Sequence, residues 1–91
     1  MPSYLVETYL ARNDASGRVA CERRARSAAE ALTREGTRVR FDRAIHVPED
    51  EISFFVFDAP SSAEAAIAAE LASLDCLRVV EAVPSGEEYG S

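Results

Sequence analysis

The residues best suited to chemistry near neutral pH are one histidine and a carboxylate on an otherwise apolar segment. His46 is the sole histidine of the chain and stands just before the turn at Pro48. Imidazole is the usual side chain for divalent-metal ligation and for proton transfer near neutrality, so His46 is a candidate metal ligand. It needs oxygen partners, and Glu7, Asp42, Glu49, Asp50 and Glu51 are candidates, as is a second His46 across a two-fold axis. The bland alternative is a hydrogen-bonded rim histidine among solvated acids. Glu7 interrupts the apolar run Tyr4-Leu5-Val6-Glu7-Thr8-Tyr9-Leu10. A carboxylate on a central strand must be paired or open onto a cavity. That makes Glu7 a candidate metal and ligand contact, with Tyr4 and Tyr9 placed to line a cavity beside it. Its structural alternative is an ion pair with an arginine such as Arg38, Arg40 or Arg43.

Other chemistries find little support. The chain has no Gly-rich phosphate loop, no CxxC and no nucleophile in a recognisable setting beside a base, which disfavours an ordinary hydrolase, kinase or redox protein. Cys21 and Cys76 lack metal-type spacing and read as small buried apolar residues. Ten basic residues, all arginine, face sixteen acidic ones for a net charge of −6. Such a surface repels a phosphate backbone unless positive charge is segregated, so the balance argues against a nucleic-acid partner. Abundant alanine and the all-arginine basic set read as a GC-rich bacterial coding bias rather than as selection for arginine chemistry.

The elements that must position these residues follow from periodicity. Tyr4 to Leu10 reads as a strand closed by Arg12-Asn13-Asp14-Ala15-Ser16-Gly17. A helix from Arg18 to Glu35 puts Cys21, Ala25, Ala28 and Leu32 on one stripe, supports itself through Glu22 with Arg26 and Glu30 with Arg34, and ends at Gly36. Thr37 to Val47 alternates Val39, Phe41 and Arg43 against Arg38, Arg40 and Asp42, a second strand with one buried face. After the Pro48-Glu49-Asp50 turn, Ile52 to Phe57 is a third strand, apolar on both faces. Ser61 and Glu64 form a capping box ahead of a second helix from about Ser62, with Ala63, Ile67, Leu71 and Leu74 as its apolar stripe. Cys76 to Val83 is a fourth strand, charged enough for an edge.

This order predicts an α+β, ferredoxin-like βαββαβ fold, a four-stranded antiparallel sheet with two helices on one face. A single domain spans 1–84 and a loose acidic tail 85–91. The other sheet face, expected to carry Phe55 and Phe57, is left bare and apolar. A chain of 91 residues buries a smaller share of its surface than a larger domain does, so a homodimer, by sheet faces or by sheet edges, is expected. Met1-Pro2-Ser3-Tyr4 shows no basic stretch followed by an apolar run and no segment approaches about 20 apolar residues, so neither a leader nor a membrane span is expected. The chain is expected to be cytoplasmic, with no membrane segment.

Tyr4-Leu5-Val6-Glu7-Thr8, Arg40-Phe41, Phe55-Val56-Phe57-Asp58-Ala59-Pro60 and Arg78-Val79-Val80-Glu81-Ala82-Val83 together resemble a family of small bacterial proteins of uncharacterised function, some described as nickel-binding. The resemblance covers most of the chain and implies a dimeric ferredoxin-like fold and nickel or another divalent metal as cofactor. The second helix departs from that pattern, with alanines, Ile67 and Glu70 where the resemblance implies a histidine. The RNA-recognition motif shares the element order and the aromatic third strand, but Glu51, Ile52 and Ser53 stand where its basic residue and glycines belong. The sequence thus predicts a non-enzymatic dimer that binds a small ligand or a divalent metal through Glu7, His46, Tyr4 and Tyr9. The alternative is a cofactor-free isomerase or monooxygenase-like enzyme of the dimeric α/β-barrel kind. It needs a cavity of a few hundred Å³ beside Glu7 or His46 as general base.

Overall fold

Residues 1–83 are described by the computed structural model; the expected boundary at 84 and the acidic tail 85–91 lie outside them. Strand β1 is Ser3–Tyr9, helix α1 Ala15–Arg34, β2 Arg40–Val47, β3 Ile52–Asp58, α2 Ser62–Leu71 and β4 Cys76–Ala82, with one 3-10 turn at Pro48–Asp50. The strands form one sheet in the order β2-β3-β1-β4, with every neighbouring pair antiparallel. Sequence periodicity thus leads to the observed ferredoxin-like α+β fold, the two helices packing on one face of the sheet.

Asp14 caps α1, its carboxylate accepting from the Gly17 N–H at 2.9 Å. At the other end the Thr37 N–H donates to the Leu32 carbonyl and the Gly36 N–H to that of Thr33. This is the double closure that an αL residue allows, and Gly36 supplies it with φ +99°. At the start of α2 the Ser61 hydroxyl donates to the Glu64 carboxylate and accepts from no backbone N–H, so a side-chain pair stands in place of the serine half of the expected capping box. The Arg24 Nε–H donates to the Ala72 carbonyl at 2.8 Å, tying the middle of α1 to the end of α2.

The core lies between helices and sheet. Cys21, Ala25, Ala28, Ala29 and Leu32 of α1 are buried, as expected, and Ala65, Ala68 and Ala69 of α2 lie beside them. Alanines bring the helices close to the sheet and contribute little volume, so the strands must supply the bulk. Tyr4, Val6, Phe41, Phe55 and Phe57 do so, and Phe41 meets Phe57 at 5.5 Å between tilted ring centroids.

That division overturns three expectations. Phe55 and Phe57 do not face the bare side: both are fully buried beneath the helices, and Ile52, Phe54 and Val56 point the other way. A strand apolar on both faces gives its period no means of choosing; the thin alanine helices choose the larger rings. Phe41 and Arg43 do not share a face either, because a bulge at Asp42 breaks the β2–β3 register. It sends Phe41 into the core while Arg43 is exposed. In α2 the buried stripe is the alanine one, leaving Ile67 and Leu71 50% and 54% exposed. Two smaller expectations also change. Cys21 is buried but Cys76 is exposed, and Glu22 bonds to His46 instead of pairing with Arg26.

Candidate functional site

β1 and β2 place the four residues singled out by sequence on opposite sides of the sheet. Glu7 and Tyr9 share the phase of Leu5 on the open face, while Tyr4 is buried on the helix side and His46 pairs in register with the buried Ser53. Glu7 accepts from Arg78 Nε at 2.8 Å, opposite it on β4, so the carboxylate is neutralised by an arginine other than the three expected. Tyr9 is about half exposed at the rim.

His46 is held at both ring nitrogens. Nδ1 lies 2.6 Å from Ser53 Oγ and Nε2 2.8 Å from Glu22 Oε2, and the ring meets Phe55 edge-on at 6.1 Å between centroids. A serine, histidine and carboxylate in a row resemble a nucleophilic relay in composition. Here the order runs inward from Glu22 at the rim to a Ser53 that is 1% exposed, so the hydroxyl is sealed from any substrate. The row instead satisfies a buried hydroxyl that would otherwise lack a partner. Among the described residues no three His, Cys, Asp or Glu side chains converge as a metal site requires, and within one chain Glu7 and His46 do not meet.

The exposed thiol of Cys76 is no activated nucleophile. Partial burial, aided by the neighbouring Asp75, pushes its pKa above the ordinary thiol value, which lowers the thiolate fraction at neutral pH.

One cleft was not anticipated. It lies between the second half of α1 and the entry to β2 and measures about 530 Å³. Ala29, Val39 and Phe41 form its apolar floor, Met1 closes one side, and Arg26, Arg38 and Arg40 stand around it with Glu30. The fold builds this cleft locally. The Thr33 hydroxyl donates to the Val39 carbonyl at 2.8 Å, pinning the α1–β2 connection to the helix. The Asp42 bulge turns the Phe41 ring inward, and the Arg26 guanidinium sits over it at 5.1 Å. Arg40 donates through Nε to Asp58 at 3.0 Å, and Ser3 Oγ donates to the same carboxylate at 2.7 Å. Burial alone would raise the Asp58 pKa, but the Ser3 hydroxyl and Arg40 together outweigh it and hold the carboxyl below its ordinary value. Among the described residues Arg26 and Arg38 make no hydrogen bond or ion pair. Tyr4, Glu7, Tyr9 and His46 line neither this cleft nor three smaller ones. The signal for the cleft was present in Arg38 and Arg40, which flank Val39 on the way into β2, but compositional bias masked it.

No family model matches the chain, and comparison with curated proteins and with solved structures likewise returns no match.

Proposed function

We propose that this chain is a small-ligand-binding domain that works as a homodimer, with the α1–β2 cleft as its ligand site and the open sheet face as its dimer face. The observation that carries the proposal is the cleft itself: about 530 Å³ lies within the range of small-molecule sites, and an apolar floor ringed by a few polar groups is their usual make-up.

Dimerisation is supported by the opposite face. Leu5, Phe54 and Val80 are only partly covered there, Ile45 is 44% exposed, and a small depression lies over Val56. Two of its carboxylates already have arginine partners, Glu7 with Arg78 and Asp58 with Arg40, so a copy packed on that face would bury few uncompensated charges. The cleft lies on the helix side and stays open in such a dimer. Binding rather than catalysis is supported by the positions of the titratable groups: Glu7 is ion-paired on the open face, and Ser53 and His46 satisfy each other beneath the helices.

A thermal-shift screen of chemically diverse small metabolites, followed by amide NMR on the hits, tests the ligand site. The expected result is hits that perturb the Val39 and Phe41 amides and are lost in Ala29→Trp, which fills the floor. Hits that perturb only the surroundings of Glu7 or His46 would contradict it.

A further inference from the structure

The three arginines around the cleft are not equivalent, and their inequality selects a ligand. Arg40 is committed to Asp58 through two nitrogens. The Arg26 guanidinium carbon lies over the Phe41 ring, 5.1 Å from its centroid, and its N–H donors have no hydrogen-bond partner among the described residues, which leaves them free to bind a ligand. Arg38 has no polar partner among the described residues. One carboxylate, Glu30, lies along the same wall. Arg26, Arg38 and the Met1 terminus outnumber Glu30 along the cleft, while Asp58 engages Arg40, so the cleft keeps an excess of positive charge beside an apolar floor.

We infer that the cleft takes an organic monoanion, a carboxylate carried on an aromatic or branched aliphatic body. The carboxylate would lie in the forks of Arg26 and Arg38, where paired N–H donors match its two oxygens, and the body would cover Phe41, Val39 and Ala29. This inference rests on the ligand-binding reading above and adds the chemical class. A phosphate ester, close to doubly charged at neutral pH, fits less well. The cleft lies along α1 residues up to Thr33, near the helix end whose negative dipole opposes a doubly charged group more than a singly charged one.

The test is an amide and arginine Nε–H NMR titration of the full chain with phenylacetate, phenylacetamide and inorganic phosphate as probes, repeated on Arg38→Gln. Phenylacetate is expected to saturate shifts at Val39, Phe41 and the Arg26 and Arg38 side chains. Arg38→Gln should weaken it about tenfold, the loss expected for one charged hydrogen-bond partner. Phenylacetamide and phosphate should bind at least about tenfold more weakly than phenylacetate on the same grounds. If phenylacetamide matches phenylacetate at the same amides, the cleft stands as a ligand site and the anion inference falls. Preferred binding of phosphate, or no shift at these residues with phenylacetate, would likewise overturn it. Arg78→Gln, which removes a charge on the open face, serves as the control and should leave phenylacetate affinity unchanged.

Discussion

The two faces of the sheet are built from the same residue types and come to opposite ends. On the helix side Phe41, Phe55 and Phe57 sit under alanines with almost no exposure, and the polar groups among them, Thr8, Ser53 and His46, all have hydrogen-bond partners. On the open side Phe54, Ile45 and Leu5 keep contact with solvent, between two arginine–carboxylate pairs. Burial is thus complete where the chain provides its own cover and incomplete where it does not. An apolar face left half-covered, with two of its carboxylates already paired to arginines, suits an association surface.

The largest expected effect tests the inner face. Phe55→Ala removes a fully buried ring and should cost about 3–5 kcal/mol, enough to unfold much of a small domain, as read by urea denaturation. Phe54→Ala, one residue along on the other face, should change chain stability far less and instead promote dissociation with dilution. Equal losses of stability from the two substitutions would erase the distinction between the faces.

Next in size is the polar row. His46→Ala leaves the Ser53 hydroxyl buried without its 2.6 Å partner, and about 1–3 kcal/mol should be lost. Adding Ser53→Ala should recover part of that loss, because the stranded hydroxyl is gone. If the double variant is as unstable as the sum of the singles, His46 acts through packing and not through this bond.

Asp58→Asn sharpens the open face. The Asp58 pKa is depressed in the folded chain, so its stabilisation is fully present above the unfolded carboxyl value of about 3.9 and fades as pH falls through the lower folded value. The variant should be about 1 kcal/mol less stable than the parent at pH 7, and thermal unfolding should show that gap closing below about pH 4. A gap that persists at pH 2 would mean that the charge is not what stabilises.

The smallest effect concerns the hinge into the cleft. A Cβ at Gly36 would meet nothing within 4 Å, yet φ is +99°, so Gly36→Ala should cost about 1 kcal/mol through the backbone alone. A neutral result by denaturation would show that the α1–β2 connection tolerates another turn.

Element order and type were legible because they rest on spacing that few alternatives satisfy. The 3.6-residue stripe from Cys21 to Leu32 and the Gly36 stop define α1, and Pro48 with Glu49 and Asp50 separates β2 from β3. Face assignment was less legible wherever both faces are apolar, as in Ile52 to Phe57, since a period of two selects a face only when the other is polar. The bulge at Asp42 leaves no mark in that period, so Arg43 was assigned to the face of Phe41. In α2, alanine, isoleucine and leucine surround the axis, and volume rather than hydropathy decides which side packs. The cleft escaped notice for a related reason: it depends on Phe41 turning inward under Arg26, which requires the bulge. Glu7 and His46 were rightly marked as residues that need partners, but their partners Arg78, Glu22 and Ser53 are distant in sequence and set by tertiary register.

The central claim, that the open face pairs with a second copy, is tested most directly by isotope-filtered NOEs on an equimolar mixture of labelled and unlabelled chains. The account predicts intermolecular contacts from the Leu5, Ile45 and Val80 methyls to the Phe54 ring. Contacts confined to Ile67 and Leu71 on the helix side, or none at concentrations where the mass in solution is that of one chain, would contradict it.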